Sequence, residues 1–338
     1  MVNVLLSAVG RRAYLVEWFK AILHPIGGKV YATNTMQDAT GFLAADESAV
    51  VPGSIDKNYI DVMTSLCKKW EISLLFSLYD WDAPIIARAK DMFLSNGTLP
   101  VVGSCKLHSI CLDKYATAKE MEGLGIKSPK TFLTLEEALM YNRFPMIVKP
   151  RWGQGSLGLF KVFSREELEA AYILSTSQAR KFAKYCDGIE VNEQQVVIQE
   201  CIDAMEYGCD IINDFSGRFR GAFVKHKFAM RSGETDAAES VYMPEIERAA
   251  EKVANWSRHL GCMDSDWFVM DNGEPVLIEL NPRFGGGYPF THCAGANVPL
   301  ACINWVRGID TDSWRTNYKI GVRLFKSITM MHAYENVK

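Results

Sequence analysis

The run Ile278-Glu279-Leu280-Asn281-Pro282-Arg283 sets Glu279 and Asn281 two residues apart, on one face of an extended strand. Arg283 continues that face. Asp266 sits in the preceding β-rich run SDWFV, and Asp271-Asn272-Gly273 between the two runs is a turn signal. A hairpin would bring Asp266, Glu279 and Asn281 together. Carboxylate and amide oxygens are what Mg²⁺ takes, with phosphate oxygens completing its octahedron; Mn²⁺ could stand in its place. A carboxylate facing such a set inside an apolar hairpin is costly unless a cation balances it. The planar fork of Arg283 suits a phosphate oxygen.

A second phosphate signal lies in KPRWGQGSLG, where Gly153, Gly155 and Gly158 match G-x-G-x-x-G. A dinucleotide fingerprint follows the first strand of a βαβ unit and opens a helix. This loop lies deep in the chain and joins two β-rich runs, FPMIVKP and LFKVF, so an oxidoreductase reading fails. A P-loop needs its lysine at the loop's end, and Lys149 precedes this one. The arrangement that fits is a glycine-rich hairpin tip laid over phosphates. Its backbone N–H groups approach phosphate oxygens without Cβ clashes, and Lys149 points a charge at the same place.

The elements that must position these residues follow from patterning. The first hundred residues alternate apolar strand runs (VNVLLSA, KVYATN, Ser48–Val51, ISLLFSLY, PVVGS) with helical spacing (RRAYLVEWFKAIL, YIDVMTSLCKKW, APIIARAKDMFLSNG). That alternation predicts a parallel sheet flanked by helices, with ligands at the carboxyl ends of its strands. Ser7–Arg12 and Tyr79–Asp82 fall at such ends. Cys111–Leu124 reads as one helix, and MPEIERAAEKVANWSRHLG as an amphipathic helix stopped by Gly261. The 338 residues are 48% hydrophobic and 23% charged, with a net charge of −3. This is globular usage with no electrostatic case for nucleic acid or an anionic membrane. No apolar run approaches a membrane span, and no basic segment precedes the first apolar run. Nine cysteines without CxxC or Cys/His spacing suggest reduced thiols in a cytoplasmic protein.

Lys149 with its glycine loop, then QECI, Glu206, Asp266 and ELNPR, in that order, resemble the ATP-grasp superfamily. The glycine-rich sequel to ELNPR is most similar to the branch of carbamoyl-phosphate synthetase large subunits and biotin carboxylases. The resemblance implies an α/β and α+β chain. A Rossmann-like pre-ATP-grasp domain would span residues 1–105, with a two-subdomain ATP-grasp fold over 106–310. Within the latter the glycine-loop lid would occupy about 128–195 and the metal-binding part about 196–310, leaving a short tail, 311–338, packed on the core. Position by position it implies Lys114 and Lys149 on ATP phosphates, and Gly153, Gly155, Ser156 and Gly158 as their cover. Gln199, Glu200, Cys201 and Ile202 would form the strand that reads adenine, and Glu206 would hold ribose hydroxyls. Asp266, Glu279 and Asn281 would bind Mg²⁺, and Arg283 would steady the transferring phosphoryl group. Two positions depart from the family pattern: Asp266 stands where Gln or Glu is common, and Gln199 where an acidic residue is common.

On the substrate side, strand alternation in FVKHKFAMR lets Lys225, Lys227 and Arg231 share a basic face. The segment SGET, with Glu234, resembles one that lines the acceptor site in relatives. In RFGGGY, Gly286 and Gly287 imply close backbone approach to a ligand or positive φ. His226 and His292 read as structural. The resemblance implies an ATP-dependent carboxylate–amine ligase acting through an acyl phosphate, with Lys149, Arg231 and Arg283 in catalysis. Its partners would be small-molecule carboxylate and amine substrates, and a homodimer is compatible. Two alternatives stay open: a bicarbonate-activating enzyme of carbamoyl-phosphate synthetase or carboxylase type, and an ATP-binding sensor without turnover.

Overall fold

The computed structural model describes residues 1–153, 155, 157–183, 194–231 and 233–332. The first strands are short apolar runs: β1 (Val4–Ser7), β2 (Val30–Asn34), β3 (Glu47–Val50), β4 (Leu74–Ser77) and β5 (Leu99–Pro100). They pair in parallel in the order β3-β2-β1-β4-β5. Every residue of β1 and β4 is buried, as expected of central strands covered by helices on both faces. The helix Ala13–Leu23 supplies one cover, burying Leu15, Val16, Phe19 and Leu23 along a single stripe. Strand order reverses between β1 and β4, which makes the crevice at their carboxyl ends a topological switch point.

A four-stranded antiparallel sheet follows, made of β6 (Thr131–Phe132), β7 (Met146–Pro150), β8 (Phe160–Val162) and β9 (Val196–Glu200), ordered β6-β9-β7-β8. The glycine loop joins β7 to β8. The third sheet is antiparallel and six-stranded: β10 (Met205–Asn213), β11 (Phe219–Arg231), β12 (Glu234–Ser240), β13 (Gly261–Val269), β14 (Pro275–Asn281) and β15 (Arg323–Phe325), ordered β14-β13-β10-β11-β12-β15. One hydrophobic core runs from Val4, Phe19 and Phe76 of the first sheet to Phe284, Tyr288, Ile303 and Trp314. This packing brings the carboxyl ends of β1 and β4 against the end of β14.

Three helix expectations change in detail. Cys111–Leu124 is two helices, Cys105–Leu112 and Lys114–Gly123, because Asp113 leaves helical geometry and caps the second through the Tyr115 and Ala116 amides at 3.0 and 3.2 Å. The helix expected over 83–97 breaks at Ala89 into Asp82–Arg88 and Lys90–Ser95. The amphipathic helix Pro244–Ser257 stops at Arg258, which takes φ 45, while Gly261 opens β13 instead. The segment beyond residue 310 also does more than the sequence suggested. Trp314 is buried, its carbonyl accepts from the Asn297 N–H at 2.7 Å, and β15 adds an edge to the third sheet.

Candidate active site

Register determines what meets on the third sheet. Across β13 and β14, Asp266 pairs with Glu279 and Asp264 with Asn281. Glu206, Gly208 and Asp210 of β10 lie beside Phe268, Asp266 and Asp264, while Gly208 also pairs with Lys225 of β11. Period-two alternation therefore puts five acidic residues, Asn281, Lys225 and Lys227 on one face. Gly208 has a specific job there: a Cβ would sit 3.0 Å from the Cε atoms of both Lys225 and Lys227. Its bare backbone lets both lysines cross the sheet toward the carboxylates.

The two lysines then part. Lys227 bridges Glu206 (2.9 Å) and Asp266. Burial lowers its proton affinity, but the Asp266 and Glu206 carboxylates outweigh burial and hold it charged. Lys225 is almost wholly buried, donating to Asp210 at 2.6 Å and to Thr291 at 3.3 Å. It is thus a buried support beneath the Gly287 backbone rather than a chamber wall, since a Cβ on Gly287 would lie 2.9 Å from its Cε. Arg231 also leaves the expected face. Bulges between Lys227 and Met230 break the alternation, so Met230 enters the cleft while Arg231 turns out to Asp236 at 2.8 Å.

A cleft of about 420 Å³ opens between the second and third sheets, lined by Lys114, Lys149, Gly153, Gly155, Gln199, Glu200, Cys201, Ile202, Glu206, Asp266 and Glu279. Ile147, Leu159, Met230, Phe268 and Ile278 supply its apolar walls, a composition suited to an aromatic base with polar groups at one end. Lys114 begins the helix that Asp113 caps; its Nζ donates to the Gly153 carbonyl at 2.8 Å and stands 3.7 Å from Glu279. Arg151 clamps Asp113 with two bonds of 2.8 and 2.6 Å, tying the loop's incoming strand to that helix. Gly155 and Gly158 take φ of 64 and 72, the left-handed region that glycine enters without strain. Ser156 lies outside the described residues. Gln199 donates its amide to Thr131 at 2.8 Å. The Glu200 N–H is committed to the Lys130 carbonyl, and the Glu200 carboxylate to the Lys130 N–H.

Burial, reinforced by the neighbouring Lys114 charge, pulls Lys149 down to about 8. Its cationic form is present below that pH and is lost above it, so its attraction for a phosphate follows the same sense. Bound phosphate would restore the lysine's ordinary proton affinity. ATP affinity is therefore expected to fall by about tenfold between about pH 7 and 9. Calorimetric titration of wild type and Lys149→Met checks this; the variant should show no such slope.

Past the Asp266–Glu279 pair the cleft opens into a second chamber of about 370 Å³, with Gly155, Leu157, Gly233, Asp266 and Glu279 lining both. Its other walls come from Arg12, Asp80, Lys227, Glu234, Thr235, Asp264, Asn281, Arg283, Gly286 and Gly287. Arg283 donates to Asp80 at 2.7 Å across the two halves of the chain and stands 3.9 Å from Asp264. Burial disfavours its charge, but Asp80 and Asp264 overcome that and keep it charged. Asp264 is pressed against Gly285, whose Cβ would lie 2.2 Å from the carboxyl carbon. Burial and the Asp266 and Asp210 charges raise its carboxyl to about 7, against the pull of Arg283 and Lys225. Gly285, Gly286 and Gly287 have no positive φ; at Gly285 and Gly287 the glycine makes room for protein side chains.

Arg12, Asp80 and Asp264 were not singled out individually from the sequence. The strand-end rule does mark the segments of Arg12 and Asp80, and Asp264 lies one strand period before Asp266. Glu279 and Asn281 offer hard oxygen donors suited to Mg²⁺. Among the described residues no three His, Cys, Asp or Glu side chains converge to hold a metal, and Asp266 is turned onto Lys227.

Comparisons with known proteins agree with this architecture. Residues 142–291 match the model of the ATP-grasp domain, and residues 4–102 that of the PylC-like N-terminal domain. The middle of the chain thus carries a match to the ATP-grasp domain, preceded by the PylC-like match. Its similarities include the carbamoyl phosphate synthase large chain of Vibrio vulnificus, 26% identical over 205 residues, covering 56% of this chain and 18% of that one. The D-alanine–D-alanine ligase of Fusobacterium nucleatum is 28% identical over 184 residues, covering 52% of this chain and 58% of that one. The chain therefore spans little more than half of the one relative and under a fifth of the other. In fold it resembles the biotin carboxylase of Campylobacter jejuni, solved as a complex with β,γ-ATP, with a TM-score of 0.74 at 17% identity, covering 95% of this chain and 74% of that one.

Proposed function

We propose that this chain is an ATP- and Mg²⁺-dependent carboxylate–amine ligase that forms an amide through an acyl phosphate. One observation carries the reading: the cleft and the chamber share a wall that includes Asp266 and Glu279. A nucleotide in the cleft would end its phosphates at that wall, against an acceptor in the chamber. Lys114 and Lys149 neutralise the phosphates from the cleft side, Arg283 from the chamber side. The acceptor carboxylate oxygen attacks the γ-phosphorus as the bond to the bridging oxygen breaks, releasing ADP. An amine nitrogen then attacks the acyl carbon, phosphate leaves, and the amine loses a proton. The chain's contribution to the first step is positioning and charge neutralisation. The Gly153–Gly158 loop would close over the phosphates and keep water from the acyl phosphate. A bound Mg²⁺ would offset the negative charge of the phosphates. Glu279 and Asn281 would hold it, and Asp266 would join them on release from Lys227.

The chamber, at about 370 Å³, has room for an organic acid, in the range of small-molecule sites. The test is product analysis of purified protein with ATP, Mg²⁺ and mixed carboxylate and amine pools. ADP and phosphate are expected, in proportion to amide formed. AMP and pyrophosphate would overturn the acyl-phosphate route. Strict dependence on bicarbonate would move the assignment to the carboxylase type, and ATP binding with no turnover to a sensor.

A further inference from the structure

The chamber's far wall is built by the N-terminal sheet, at the point where its strand order reverses. Here the chain leaves β1 through Ala8 and Gly10, both left-handed at φ 52 and 50. Such a conformation at a non-glycine residue is strained and marks functional loops. The tight path delivers Arg12 across the switch-point crevice, where its Nη1 donates to the Leu78 carbonyl at 2.8 Å. The crevice opens directly into the chamber through Arg12, Leu78, Tyr79 and Asp80.

Three arginines stand around this space, and their charges are handled differently. Arg283 is neutralised by Asp80 at 2.7 Å. Arg11 is in solvent, 3.7 Å from Glu234. Arg12 is neither: among the described residues no carboxylate lies within ion-pair distance of it. Burial first, then the Arg283 charge, lowers its proton affinity, and Tyr14, Asp80 and Glu234 offset this only in part. A half-buried guanidinium without an ion pair is costly, and bonds to the Leu78 carbonyl and the Tyr14 hydroxyl leave several of its five N–H donors unused. A planar fork in the wall of a chamber is suited to bind a carboxylate with two parallel bonds.

We propose that Arg12 is the anion-binding end of the chamber and holds the carboxylate of an amino acid, the amine-side substrate, which keeps that carboxylate free in the product. The inference rests on the ligase reading for the direction of reaction, but not for the binding itself. Glu234 and Asp264 line the same chamber and suit the ammonium of the same molecule. A carboxylate near Arg12 and an ammonium near acidic side chains, in a space open to the shared Glu279 wall, describe an α-amino acid presenting its nitrogen. The acid-side substrate would meet Arg283 at that wall.

The test compares binding of the twenty common amino acids with that of their α-carboxamides, in the presence of Mg²⁺ and a non-hydrolysable ATP analogue. Wild type, Arg12→Gln and Arg12→Lys are titrated calorimetrically. In wild type at least one free amino acid should bind about 10- to 100-fold more tightly than its carboxamide. Arg12→Gln should erase that preference and Arg12→Lys should keep part of it, with affinity for the ATP analogue unchanged in both. If Arg12→Gln fails to bind the analogue, Arg12→Lys carries the comparison. Equal binding of acid and carboxamide in wild type, binding of none of them, or a preference that survives substitution of Arg12 overturns the proposal. Carboxylate-selective binding lost with Arg12, without ADP release in any pool, removes the ligase reading and leaves the anion site standing.

Discussion

Glu279→Gln is expected to lower ADP release by about 10²- to 10³-fold, the range seen when a preorganised charge-stabilising group is lost. The substitution keeps the side chain's size and one carbonyl oxygen, so the β13–β14 hairpin has no packing reason to change. What disappears is a negative charge at the wall that cleft and chamber share. That charge faces Lys114 at 3.7 Å and pairs across the strands with Asp266. Without it a divalent cation has Asn281 and a carboxylate already engaged by Lys227. Steady-state ADP release, with thermal unfolding measured alongside, checks the prediction. Turnover within about threefold of wild type, or a melting temperature shifted by more than a few degrees, would show that Glu279 is structural.

The second large effect concerns stability. Lys225→Met is expected to destabilise the fold by about 3–5 kcal/mol, the cost of removing one partner from a buried ion pair. Lys225 reaches Asp210 at 2.6 Å with both side chains shut away from water. Burial opposes its charge, but Asp210 and Asp264 more than restore it. Methionine fills similar space and leaves Asp210 unpaired in the core, with Asp264 losing a counter-charge. Removing the stranded carboxylate as well, in Lys225→Met/Asp210→Leu, should recover at least half of the loss. Urea unfolding of the two variants measures both numbers. Equal loss in the single and double variants would assign the effect to packing around Gly208 and Gly287, and not to charge.

Much of this site was legible in one dimension, for physical reasons. Strand alternation is intrinsic to extended backbone, so Glu279 and Asn281 could be placed on one face from spacing alone. The Asp271–Gly273 turn carried Asp266 toward them. A glycine loop between two strand runs could be distinguished from one that opens a helix. The rule that ligands gather at the carboxyl ends of parallel strands picked out Ser7–Arg12 and Tyr79–Asp82 before any contact was known. Where spacing was extended along β11, it failed at Arg231. A bulge changes which face a residue meets without leaving a mark on the alternation before it.

What the sequence determined by itself, then, was the local chemistry: hard oxygen donors at strand spacing, a lysine ahead of a glycine tip, and a helical-sheet alternation at the start. What only the tertiary structure decided was which charges meet. Arg283 and Asp80 are 203 positions apart, and Lys225 and Lys227 part company because Gly208 lets them cross to different carboxylates. The roles of Gly208 and Gly285 are equally non-local, since a missing Cβ has meaning only once the atom that takes its place is known. Backbone periodicity is a property of a few consecutive residues. Ion pairing, burial and close approach belong to segments brought together by packing, and they separate Arg12, which has no ion-pair partner among the described residues, from Arg283, which has one.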